Sequence, residues 1–231
     1  MYASRLPTCP LSARAPLTAD TGHVTVVEIN TPHGVARAHL RLAPDPRAAL
    51  VLGHGAGGGI EAPDLRAATH AAEAEGFAVA LVEQPYRVAG RRSPASAPQL
   101  DAAWIAVLER LRGGELADLP LVVGGRSLGA RVACRTAEAT GAVAVLCLAF
   151  PLEAPQRAGK PPKSRLPELD AVTVPTLVVQ GESDRFGMPR PSTTRQVVNV
   201  RGDHGLKSDP EAIESAVRAW LASVVAEARK R

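Results

Sequence analysis

Short uninterrupted apolar runs alternate along this chain with segments whose apolar positions recur every three to four residues. The runs ALVLG (Ala49 to Gly53), FAVALV (Phe77 to Val82), Leu119 to Val123, Ala142 to Ala149 and Val172 to Gln180 predict strands buried on both faces. Gln196 to Val200 predicts a shorter strand. Between them, Asp64 to Glu75 is Ala-rich and stops at Gly76, which suits a position just past a helix end. Leu100, Trp104, Val107, Leu108 and Leu111 fall on one face of a helix over Pro98 to Leu111. Leu128 to Thr140 predicts another helix. The last begins near Pro210, capped by Ser208 or Asp209, with Ile213, Val217, Trp220, Leu221 and Val224 as its apolar stripe. Ahead of all these, His23 to Ile29 and Val35 to Leu42 flank Thr31-Pro32-His33-Gly34, a turn signal, and predict a hairpin.

Buried strands alternating with amphipathic helices predict an α/β protein with a mostly parallel, doubly wound sheet and an antiparallel hairpin at one edge. Residues 1–22 are Pro-, Ser- and Ala-rich without periodicity and predict a poorly ordered tail ahead of one domain over 23–231. The long irregular stretches are 84–98 and 151–171. Loops of that length in compact domains tend to be functional.

Composition narrows the classes. Hydrophobic residues make up 45% and charged residues 22% of 231, which excludes a wholly disordered chain. Apolar runs are all shorter than the ~18 residues a membrane span requires. The net charge is +4, with 23 Arg and 4 Lys scattered and no basic block, so neither nucleic acid nor a membrane surface is expected as partner. Cys9, Cys134 and Cys147 are odd in number and lack metal-site spacing. With no secretory pattern at the start, they suggest free thiols in a cytoplasmic protein.

The candidate chemistry lies at strand ends. Gly125-Arg126-Ser127-Leu128-Gly129 follows one predicted strand and opens a helix, the setting of a nucleophile elbow. His54-Gly55-Ala56-Gly57-Gly58-Gly59 follows ALVLG and can aim backbone N–H groups at an oxyanion, Ala56 acting with Leu128. A serine alcohol needs a base, and His204 in GDHG is the candidate. Asp184 in QGESD is the candidate acid to orient it. Glu182 and Asp203 are weaker choices: Glu182 lies closer to the strand end, and Asp203 is adjacent to His204, which rarely permits a side-chain bond to Nδ1. His23, His33, His39 and His70 fall in early strands or a helix and read as surface or packing residues. His54, Gly55, Tyr86 and Arg87 are candidate substrate contacts, although His54 also reads as a shaper of the oxyanion loop. One of Arg87, Arg91 and Arg92 is expected to meet a substrate carboxylate or phosphate. Otherwise they belong to a solvated basic loop.

HGAGGG, GGRSLGAR, CLAFPLEAP, VPTLVVQGESDRFG and GDHGLK follow one another in this order. Together they make about residues 24–228 resemble the small, cap-less α/β-hydrolases distantly related to dienelactone hydrolase. That group includes bacterial members and is similar to the hydrolase-like domain of a eukaryotic histone-acetyltransferase complex subunit. The resemblance implies the α/β-hydrolase fold, a Ser127–His204–Asp184 triad and oxyanion donors at Ala56 and Leu128. The chain departs from dienelactone hydrolase in having Ser127 where that enzyme has cysteine. It also has Ala130 where many members have a second glycine.

The expected activity is hydrolysis of an ester, thioester or related acyl bond, with no metal or cofactor. The expected partner is a small-molecule acyl substrate, and the expected state a monomer or homodimer. PLEAPQRAGKPPKSRLPEL (151–169) is where larger relatives insert a lid; here it predicts at most one helical turn and an open site. The competing readings are a non-catalytic binding or scaffold protein and an acyltransferase on the same triad.

Overall fold

The computed structural model describes residues 24–154 and 163–228. The expected tail over 1–22, with Cys9, and residues 155–162 of the polar segment lie outside the described residues. The strands are β1 (Thr25–Thr31), β2 (Gly34–Arg41), β3 (Ala48–Gly53), β4 (Phe77–Glu83), β5 (Leu121–Arg126), β6 (Ala144–Leu148), β7 (Thr176–Gly181) and β8 (Arg195–Val200). The helices are α1 (Pro63–Ala74), α2 (Pro85–Val88), α3 (Ala97–Arg112), α4 (Leu128–Thr136), α5 (Leu166–Asp170) and α6 (Pro210–Ala228).

One sheet takes the strands in the order β1-β2-β4-β3-β5-β6-β7-β8. The β1/β2 and β2/β4 pairs are antiparallel and the others parallel. Parallel neighbours need crossover connections, most of which carry helices here, and those helices cover both faces. That is why β3 and β7 are buried at every position and read as unbroken apolar runs. Trp104, Val107, Leu108 and Leu111 of α3 join Val132 and Ala133 of α4 in the core on one face. Leu65, Ala68 and Ala72 of α1 join Ile213, Val217, Trp220 and Leu221 of α6 in the core on the other. Each fully buried Leu, Ile or Val contributes about 1.5–3 kcal/mol.

From β3 the chain moves to one side for β4, then crosses to the other side for β5. The ends of β3 and β5 therefore flank a reversal of winding direction, where open α/β sheets form a crevice. Both candidate loops, after Gly53 and after Arg126, open there.

Several boundaries differ from the periodicity. Helix α4 ends at Thr136 rather than Thr140. The Thr136 hydroxyl donates to the Val132 carbonyl and the Thr140 hydroxyl to that of Thr136, so side chains compete with the helical ladder. Strand β5 runs on through Gly124, Gly125 and Arg126, which pair with β6. Strand β7 starts only at Thr176, after Pro175, which has no N–H to give. The 84–98 stretch, expected to be irregular, contains α2 with Pro85 in its first turn. Helix α5 is five residues long, about 1.4 turns, slightly more than the single turn expected there. Cys134 and Cys147 are free and buried, with their sulfurs 3.5 Å apart. Among the described residues, no helix is long and apolar enough to cross a membrane.

Candidate active site

Ser127 sits between β5 and α4 with φ 51° and ψ −103°, a strained conformation for a residue with a side chain. Its N–H donates to the Leu148 carbonyl at 2.8 Å, which pins the turn to β6. The turn closes only because its flanking residues are glycines. A Cβ on Gly125 would lie 2.5 Å from the Gly53 carbonyl oxygen, and one on Gly129 would strike the same atom. The elbow thus rests directly on β3. Leu128 is the first residue of α4, so its N–H has no intrahelical acceptor and points with the positive end of the helix dipole.

The base and acid come from the next two strand ends. His204 Nε2 lies 3.0 Å from Ser127 Oγ, and His204 Nδ1 lies 2.8 Å from Asp184 Oδ2. The structure therefore brings Ser127, His204 and Asp184 into one hydrogen-bonded line. Asp184 is held by two further donors: the Phe186 N–H reaches Oδ1 at 2.9 Å, and Gln180 Nε2 reaches Oδ2 at 2.8 Å. Gln180 Nε2 also faces the Phe150 and Gly187 carbonyls, so three oxygens surround that nitrogen and fix the amide orientation. Phe186 packs edge-on against the His204 ring at 4.5 Å between centroids. Neither alternative carboxylate reaches the imidazole: Asp203 accepts from the Gly205 N–H, and Glu182 is exposed.

The glycine-rich loop has its own support. His54 Nε2 accepts from the Gln84 N–H at 3.1 Å, which leaves the proton on Nδ1 to donate to the Gly55 carbonyl at 2.8 Å. Burial pushes the His54 pKa down, keeping the ring neutral. His54 was a candidate substrate contact; it is instead buried with both nitrogens occupied, and it braces the loop. Tyr86 is likewise buried, and its hydroxyl donates to the Ala56 carbonyl at 3.0 Å. Burial raises the Tyr86 pKa to about 12, so the donor persists at any working pH. Arg87 is half-buried on α2, and its charge helps to depress the His54 pKa. Tyr86→Phe removes the bond to Ala56, worth about 1 kcal/mol. It is expected to lower ester kcat about fivefold, measured by steady-state kinetics; an unchanged kcat would mean the Ala56 peptide is held by other contacts.

Two charged residues near the elbow escaped the sequence analysis. Arg126 places Nη2 2.8 Å from the His204 carbonyl and Nε 3.1 Å from Asp64 Oδ2. Asp64 is fully buried in the first turn of α1, and Oδ1 accepts from the Leu65 N–H. Burial pushes the Asp64 pKa from 3.8 up to about 6, outweighing the attraction of Arg126. The folded protein therefore binds a proton on Asp64 between about pH 4 and 6 that the unfolded chain does not. Stability from this group is complete below pH 4 and is lost as pH rises through 6. Relative to Asp64→Asn, the wild type is expected to gain up to about 3 kcal/mol on going from pH 7 to pH 4. Urea denaturation across that range checks this, and a pH-independent difference would contradict it.

The chain belongs to a family described as alpha/beta hydrolase domain, whose profile matches residues 46–227. The eight-stranded, mostly parallel sheet with its antiparallel hairpin agrees with that family's fold. Solved structures agree at the level of fold. The chain is similar to Est1E from Butyrivibrio proteoclasticus, at 15% identity and a TM-score of 0.70, over 87% of this chain and 99% of that one. It is also similar to XC6422 from Xanthomonas campestris, described as a serine hydrolase without a lid, at 18% identity and a TM-score of 0.67, over 90% and 97%. Dienelactone hydrolase from Anabaena variabilis aligns at 16% identity and a TM-score of 0.65, over 87% and 95%. No curated protein sequence matches the chain significantly.

Proposed function

We propose that the protein is a serine hydrolase that cleaves an ester, thioester or related acyl bond through an acyl-enzyme. The observation that carries this reading is the continuous Asp184–His204–Ser127 hydrogen-bonded line at the carboxyl ends of β7, β8 and β5. Ser127 Oγ attacks the acyl carbonyl as His204 Nε2 takes its proton. Asp184 holds Nδ1–H and stabilises the imidazolium. The N–H groups of Ala56 and Leu128 hold the tetrahedral oxyanion, each worth on the order of 3 kcal/mol. The leaving alcohol or thiol takes the proton back from His204. Water, activated by the same imidazole, then attacks the acyl-enzyme and releases the acid.

The short α5 and the similarity to a lidless hydrolase favour an open cleft and a modest-sized or exposed acyl group. A series of chromogenic esters of increasing acyl length tests the reading. Turnover with a short-chain optimum supports it; no turnover at any length, with no labelling by a fluorophosphonate, refutes it and leaves a binding role. Adding an alcohol acceptor separates hydrolase from acyltransferase, because a transferase diverts acyl groups to a new ester. Arg87→Ala raising KM for anionic esters alone would assign that arginine to a substrate carboxylate or phosphate; equal loss on neutral esters would not.

A further inference from the structure

We propose that Arg126 is a positioning residue: its guanidinium fixes the backbone of the His204 loop relative to the nucleophile that follows it in sequence. The inference rests on the triad reading and adds a residue to it. Ser127 and His204 belong to loops 77 residues apart, and the only covalent link between them is the intervening chain. Their 3.0 Å approach therefore depends on whatever fixes one loop against the other.

Arg126 makes that connection from the residue next to Ser127. Nη2 donates to the His204 backbone carbonyl at 2.8 Å, so it grips the base by its main chain and leaves both ring nitrogens free. On its other edge, Nε lies 3.1 Å from Asp64 Oδ2, an ion-pair contact without hydrogen-bond geometry. Asp64 Oδ1 is tied to the first turn of α1, which anchors the guanidinium to a rigid element. The side chain also passes directly beneath the oxyanion loop: a Cβ on Gly55 would lie 2.9 Å from Nη1. One planar group thus touches the nucleophile strand, the histidine loop, the oxyanion loop and α1.

The choice of arginine fits the task. A guanidinium offers donors in fixed, divergent directions, so it can hydrogen-bond the His204 carbonyl while its charge pairs with Asp64. An ammonium is a point charge that would serve one of them at a time. Arg126 is only 16% exposed and Asp64 is not exposed at all, so water screens the pair little. The Asp64 carboxylate also balances the guanidinium charge.

Three roles give three kinetic signatures. A positioning residue lowers kcat and leaves KM alone. A substrate contact raises KM. A purely structural ion pair lowers thermal stability without changing turnover by the folded protein. Arg126→Met is expected to reduce kcat about 10- to 100-fold, as misplacement by about 1 Å does, with KM within about twofold of wild type. Arg126→Lys should recover part of the loss. The double variant Asp64→Asn with Arg126→Met leaves no unpaired buried charge and carries the same expectation if the single variant does not fold.

Wild-type kcat in the folded variants, or a change confined to KM, overturns the proposal. Fluorophosphonate labelling of Ser127 in the wild type keeps the two claims apart. Wild type that labels and turns over while the Arg126 variants match it defeats only the positioning role. Wild type that does neither defeats the hydrolase reading, and this proposal with it.

Discussion

Replacing Ser127 by alanine is expected to lower kcat for the best chromogenic ester by on the order of 10⁶-fold. The substitution removes one oxygen and nothing else. Alanine carries the same Cβ, so the strained backbone at φ 51° costs no more than before. The Ser127 N–H bond to Leu148 is a main-chain bond and survives. Stability should therefore stay within about 0.5 kcal/mol of wild type. The oxyanion donors remain, and they leave a residual rate above that of water. Stopped assays on the purified variant, with denaturation curves beside them, check both halves. A rate within tenfold of wild type would place the nucleophile elsewhere.

Asp184→Ala is expected to lower kcat by about 10⁴-fold. Three donors converge on this carboxylate: His204 Nδ1, Gln180 Nε2 and the Phe186 N–H. Alanine releases the imidazole and takes the acceptor from the Phe186 N–H, while Gln180 Nε2 keeps the Phe150 and Gly187 carbonyls, so the stability cost is expected to be about 1 kcal/mol. Asp184→Asn is expected to lose about 10⁴-fold in kcat as well. An amide here turns its NH2 on one of the donors in either orientation: on the Phe186 N–H, or on Gln180 Nε2. The second orientation also donates to His204 Nδ1 and moves the ring proton to Nε2, which then cannot accept from Ser127 Oγ. An Asn variant within tenfold of wild type would contradict the role of Asp184 in fixing the tautomer and stabilising the imidazolium.

The fold was legible because its signals are local. Fully buried strands such as LVLG and TLVVQ, and the α3 stripe from Leu100 to Leu111, are pattern statements that neighbours in sequence can make. Ser127, Asp184 and His204 were legible for a related reason: each follows a recognisable strand, and strand ends share one edge of a parallel sheet. What escaped is what only folding brings together. Arg126 meets Asp64 across 62 positions, and nothing near either residue marks the pair. His54 followed by glycines reads as a cleft residue, and only the Gln84 N–H, 30 positions on, shows that its second nitrogen is occupied. Gln180 did leave a trace, as the one amide in an otherwise apolar strand. Four-residue α2 is too short for periodicity, and Pro85 was its only marker.

The central claim is a serine made nucleophilic by the imidazole beside it. Incubation with a fluorophosphonate, digestion and mass spectrometry test it most directly. The expected adduct lies on the peptide bearing Ser127, forms rapidly in wild type, and slows by on the order of 10³-fold or more in His204→Ala. No adduct, an adduct on another residue, or labelling indifferent to His204 would contradict it.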